Sequence, residues 1–116
     1  MTVERRRTSR DRRKALRIPA TFAVKNLAEG HVQLCQAEDI GLGGITIKSP
    51  RDVSYPPRTM VALAFALPGT NQEIAAQGVI VSDAGAGSFR RSGIRFIALR
   101  PEHQQLIAGF CRKARR

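Results

Sequence analysis

Residues 61–67 read Val-Ala-Leu-Ala-Phe-Ala-Leu, with a bulky apolar side chain at every second position and alanine between. Side chains on a strand alternate between its two faces, so this run predicts a strand with one bulky face and one tightly covered alanine face. The same period of two returns in shorter runs over 20–24, 32–34, 45–47, 74–81 and 93–97, each bounded by Gly, Pro, Asn or Asp. Six short strands with no helix between them predict a mainly β domain, an antiparallel barrel or sandwich. The period changes only near the C-terminus. Pro101 suits the first position of a helix, and Leu106, Ile107 and Phe110 then recur at three- and four-residue spacing. A C-terminal helix is therefore expected to pack on one opening or edge of the β structure.

The chain has 116 residues and a formal net charge of +11, which is enough length for one core and suggests an anionic partner. The charge is not spread evenly. Residues 1–17 hold eight basic side chains against Glu4 and Asp11, and Arg112, Lys113, Arg115 and Arg116 add four more. The segment between them, 18–111, carries eight basic and seven acidic residues and is nearly neutral. A specific nucleic-acid reader is not expected from such a body, which has one tyrosine and no tryptophan to stack bases. The longest apolar run, 61–67, is far short of the ~20 residues a membrane-spanning helix needs, so no membrane span is expected. The arginine-rich start lacks the apolar segment of a secretory signal, which makes the cytoplasm the expected location. Cys35 and Cys111 lie far apart, as do His31 and His103. Neither pair has the spacing of a metal or redox site, and no metal is expected.

Catalysis finds no footing. Glu38 and Asp39 are adjacent, so on a regular strand they point to opposite faces and cannot work as a paired acid and base. The glycines that follow them, in Glu38-Asp-Ile-Gly-Leu-Gly-Gly-Ile-Thr-Ile47, are not closed by the Gly-Lys-Ser/Thr of a phosphate loop. Three glycines within four positions, at 41, 43 and 44, instead point to a special turn or to close approach by another group. Just ahead of the first strand stands Arg12-Arg-Lys-Ala-Leu-Arg17-Ile-Pro. Guanidinium groups pair bidentately with phosphate, donate to guanine O6 and N7 and stack on bases. A carboxylate such as Asp39 can accept hydrogen bonds from guanine N1 and N2, which no arginine can do.

Together these features resemble the PilZ family, the bacterial receptors for the second messenger cyclic di-GMP. Its first motif, Arg-x-x-x-Arg, is matched by Arg13-Lys-Ala-Leu-Arg17, and its second, Asp/Asn-x-Ser-x-x-Gly, by Asp39-Ile-Gly-Leu-Gly-Gly44. The closing strand Ser92-Gly-Ile-Arg-Phe-Ile97, followed by a helix, is also similar. A second Arg-x-x-x-Arg stands at 6–10, but Arg17 is the one followed at once by the first strand. The resemblance implies a six-stranded antiparallel PilZ-like β-barrel with a C-terminal α-helix over 12–111, flanked by a flexible basic arm at 1–11 and a basic tail at 112–116. It implies a regulatory receptor or adaptor rather than an enzyme, with cyclic di-GMP as ligand, no other cofactor, and a downstream protein partner. The implied ligand-binding residues are Arg12, Arg13, Arg17, Asp39, Gly41 and Gly44, with the arginine arm closing over the nucleotide. Gly41 stands where the family has serine, so one hydroxyl is missing from the cradle. An adaptor that has lost cyclic di-GMP through Gly41 is therefore the alternative, and a basic nucleic-acid-binding barrel is a third reading.

Overall fold

The computed structural model describes residues 17–114. Six strands follow one another, β1 (Ile18–Ala28), β2 (His31–Ile40), β3 (Gly44–Pro50), β4 (Met60–Ala66), β5 (Glu73–Ala86) and β6 (Phe89–Leu99), and one helix, α1 (Pro101–Ala114), ends the described chain. Each predicted run is present, and most extend well beyond the apolar positions that revealed them. All neighbouring strands are antiparallel, in the order β1-β2-β3-β6-β5-β4, and β4 pairs with β1 to close a barrel. Closure leaves no free sheet edge to invite another strand.

The alternation of 61–67 sorts inside from outside. Val61, Leu63, Phe65 and Leu67 are each no more than 3% exposed, and they meet Val24, Ile47, Ile74, Ile80 and Ile94 in the barrel interior. Ala62, Ala64 and Ala66 face outward and are only half-buried, so the alanine face is not tightly covered as expected. A barrel needs one apolar face per strand, and its own curvature supplies the cover. Between β1 and β2 the turn Glu29-Gly30 has φ of 54° and 81°, the left-handed pair that suits a two-residue hairpin.

The helix seals one opening. Ile107 is fully buried, with Leu106, Phe110 and Cys111 packed beside it. The expected periodicity is thus observed, and the helix continues to Ala114, carrying Arg112 and Lys113 in its last turn, where cations offset the negative end of the helix dipole. Cys111 Sγ lies 3.7 Å from the carbonyl oxygen of Ile40, which seats the helix directly beneath the glycine turn.

The opposite opening is covered by the 51–59 loop, whose Tyr55 packs against the core. Asp83 anchors this loop by accepting hydrogen bonds from the Tyr55 N–H at 3.4 Å, from Arg90 Nη2 at 3.1 Å and from Ser92 Oγ at 2.9 Å. Burial alone would push the Asp83 carboxyl up, but these donors, with the charge of Arg90, hold it below its ordinary value. A carboxylate depressed in the folded state contributes stability above its unfolded pKa of about 3.9 and loses it as pH falls through the folded value. Asp83→Asn should therefore lower unfolding free energy at pH 7 by about 1.5–3 kcal/mol, as for hydrogen bonds to a charged group. In urea denaturation the gap from the parent protein should close progressively below about pH 4. A gap that stays constant down to pH 2 would remove Asp83 from this role.

Candidate functional site

A bulge in β2 sets the geometry of the carboxylates. Ala37 pairs with Ile47 and Asp39 with Thr46, so Glu38 is an extra residue between them. Ala37 and Ile40 are both fully buried, which leaves Glu38 and Asp39 together at the surface rather than on opposite faces as a regular strand would place them. They still do not form an acid-base pair, because each is engaged elsewhere. Glu38 binds Arg91 Nε and lies 3.9 Å from Lys48 Nζ, while Asp39 Oδ1 lies 3.3 Å from Arg17 Nη1. Lys48 and Arg91 also flank the Phe89 ring, at 4.6 and 5.2 Å from its centroid.

Arg17 is the residue on which the site converges. Immediately ahead of β1, it sends Nη1 to Asp39 and donates to Thr46 Oγ1 at 2.8 Å. The Arg17 and Asp39 side chains retain 32% and 31% exposure, so the pair is within reach of solvent. Two segments 22 residues apart in the chain are thereby joined at one point. The register of β1 on β2 makes this possible, since Pro19 lies opposite Asp39 and Ile18 opposite Ile40.

Gly44 provides the room. A Cβ there would run into the Ile94 carbonyl of β6 and come within 2.9 Å of Arg17 Nη2. Its φ is not in the left-handed region, where the described glycines are Gly30, Gly69 and Gly87. Close approach, not turn conformation, therefore requires glycine at 44. Gly41 is buried and outside the left-handed region as well. Its N–H donates to the Gly44 carbonyl at 2.9 Å, and the Phe96 N–H donates to the Gly43 carbonyl at 2.9 Å. The turn is thus closed by its own backbone, and the Gly41 N–H is already engaged.

Of the six residues expected to bind a ligand, Arg17, Asp39, Gly41 and Gly44 come together here. Arg12 and Arg13 lie outside the described residues. Two further residues belong to this surface and were not among those expected to bind, Arg95 because its strand position pointed to a solvent-facing role outside the site. Thr46 shares the outer face of β3 with Gly44, two residues away, and its hydroxyl holds Arg17; period-two spacing from Gly44 is the signal that would have found it. Arg95 is the cross-strand partner of Gly44. It is exposed, and among the described residues it has no ion-pair partner. Among the described residues no three His, Cys, Asp or Glu side chains gather as metal ligands, and no helix is long and apolar enough to cross a membrane.

The comparisons with known proteins agree with this architecture. The family model for the PilZ domain matches residues 5–113. The Bacillus subtilis inhibitor of motility, MotI/DgrA, is similar with a TM-score of 0.79 at 17% identity, over 86% of this chain and 49% of that one. The chain thus spans about half the length of MotI. The PilZ domain of CeSA from a cellulose-synthesizing bacterium matches at 23% identity with a TM-score of 0.63, covering 82% of this chain and 97% of that domain. The PilZ domain of YcgR from Escherichia coli, solved with c-di-GMP, matches at 20% identity with a TM-score of 0.63, covering 90% and 95%. A search of curated protein sequences returns no match. A closed six-stranded antiparallel barrel with a C-terminal helix, matched by one family model over nearly its whole length, makes this chain a member of the PilZ domain family.

Proposed function

We propose that this domain is a receptor for cyclic di-GMP, and that the nucleotide sits on the barrel exterior over Gly44, between Asp39 and the arginine segment that ends at Arg17. The observation that carries the reading is the convergence of Arg17, Asp39 and Thr46 across a position without a side chain. Arg13 and Arg17, with Arg12 beside them, supply planar forks for the phosphates and for guanine O6 and N7. Asp39 accepts from guanine N1 and N2. Asp39 is engaged by Arg17, so nucleotide entry makes the carboxylate exchange one donor for another. The guanidinium is then free to turn toward the ligand. Exchange of this kind is cheap, because a partly exposed ion pair is worth only about 0.2–1 kcal/mol.

The domain acts as a switch and not as a catalyst. Binding fixes the arginine arm over the nucleotide and so changes the surface offered to a protein partner, by coupled folding and binding. The second reading is a PilZ adaptor that does not bind the nucleotide. Gly41 in place of serine supports it, as does the engagement of the Gly41 N–H within the turn.

Calorimetric titration with cyclic di-GMP separates the two. Binding is expected, and Arg13→Ala or Arg17→Ala should each remove most of the affinity, since a charged hydrogen bond is worth about 1.5–3 kcal/mol, or ten- to a hundredfold. No heat, and no NMR shifts at millimolar ligand on well-folded protein, would establish the adaptor. A second prediction concerns position 41. Because the backbone there is outside the left-handed region, Gly41→Ser should restore a hydroxyl without backbone strain and tighten binding by up to about tenfold. Weaker binding by a variant of unchanged stability would show that a hydroxyl at 41 does not serve the ligand.

A further inference from the structure

Away from the Arg17 site, a groove of about 420 Å³ runs between α1 and the 67–70 turn that links β4 to β5. Leu67, Leu106 and Phe110 give it an apolar floor, and Arg112 and Lys113 stand at its rim, with no acidic side chain lining it among the described residues. Gly109 borders the same groove, in the interior of the helix. Glycine costs about 1 kcal/mol against alanine in a helix interior. Among the described residues, a Cβ at Gly109 would meet nothing nearer than Arg112 Nη2 at 3.9 Å. The residue borders the open groove at a point where no described element packs against the helix.

We propose that this groove docks an acidic segment of a protein partner, which inserts one apolar side chain beside Gly109 and pairs its carboxylates with Arg112 and Lys113. Charge complementarity selects the occupant. The chain's own N-terminal segment is strongly basic and would be repelled by this rim. A lipid surface is met by protruding apolar side chains, whereas Leu106 and Phe110 are half-buried and Leu67 is 2% exposed. A concave apolar floor with a cationic rim instead fits a single inserted side chain flanked by acids. The basic C-terminal residues, which the nucleotide site does not use, thereby gain a role.

The inference rests on the reading of the domain as one that acts through a protein partner. It is tested without cyclic di-GMP, so that failure of peptide docking and failure of nucleotide binding are separate results. The probes are the peptide Glu-Asp-Glu-Phe-Glu-Asp, the same peptide with Ser for Phe, its basic counterpart Lys-Arg-Lys-Phe-Lys-Arg, and anionic phosphatidylglycerol vesicles, each titrated into isotopically labelled full-length protein. The acidic Phe peptide should shift the amide signals of Gly69, Leu106, Gly109 and Phe110, and the Ser and basic peptides should not. Gly109→Leu, which fills the groove while favouring the helix, should weaken binding about tenfold or more. Gly109→Ala, too small to fill it, should bind within about twofold of the parent, and Arg112→Glu should weaken binding at least as much as Gly109→Leu. Shifts confined to other surfaces, no shifts at all, equal binding by Gly109→Leu, or binding of the vesicles in preference to the peptide would each overturn the proposal.

Discussion

Arg17 reaches Asp39 and Thr46 across Gly44, a residue with no side chain, and the close approach of β3 to β6 at that residue organises the outer face of the barrel. β3 and β6 approach so closely at this point that the Ile94 carbonyl occupies the space a Cβ would need. The guanidinium then lies over the backbone of Gly44, with Asp39 and Thr46 as its two acceptors. Any larger residue at 44 would act on two things together, the pairing of β3 with β6 and the position of Arg17. Barrel closure and site geometry are therefore not separable at this position.

The bulge at Glu38 acts on the same surface in a different way. By inserting one residue, it keeps Ala37 and Ile40 in the core and turns both carboxylates outward. Glu38 is then taken by Lys48 and Arg91, and Asp39 by Arg17. The basic side chains on this face outnumber the carboxylates, since Arg95 has no acidic partner among the described residues. An anion approaching Gly44 thus meets unspent positive charge, with one carboxylate placed to read a hydrogen-bond donor. On the proposed reading, that combination suits a guanine nucleotide better than a bare phosphate, for which Asp39 would be repulsive.

The strands were legible in the sequence because period two survives wherever the strand is regular. The run 61–67 predicted its four buried residues without error, and Leu106, Ile107 and Phe110 marked the helix that carries them against the core. Two features escaped for physical reasons. The β2 bulge leaves no mark in a pattern of polar residues, so Glu38 and Asp39 were assigned to opposite faces. The outward alanines of β4 looked like a covered face because small apolar residues suit both a second layer and the curved outside of a barrel. In the site, Asp39 and Gly44 could be picked out from the motif, and period two places Thr46 on the face of Gly44, but its role as an acceptor required knowing that Arg17 crosses from the start of β1 to β3. That crossing is a product of the β1-β2-β3 register, which residue spacing alone does not specify.

The two ends of the barrel divide the work. At one end Asp83 gathers donors from β6 and from the 51–59 loop into a part-buried network, its own side chain 11% exposed and that of Arg90 22%. At the other, Arg17 and Asp39 are about a third exposed and held by a single contact between them. Both sets of hydrogen bonds are part-buried, but the less exposed one, with several donors on one carboxylate, resists exchange more than the more exposed single pair, which trades partners with water at less cost. The Asp83 network is thus suited to holding the barrel shut, and the Arg17 contact to being replaced. The turn at 41–44 sits on the replaceable side, yet α1 braces it from beneath through Cys111 and the Ile40 carbonyl. Asp39, which holds Arg17, is the chain neighbour of Ile40, so the exchangeable contact and the seat of the helix are adjacent residues of β2.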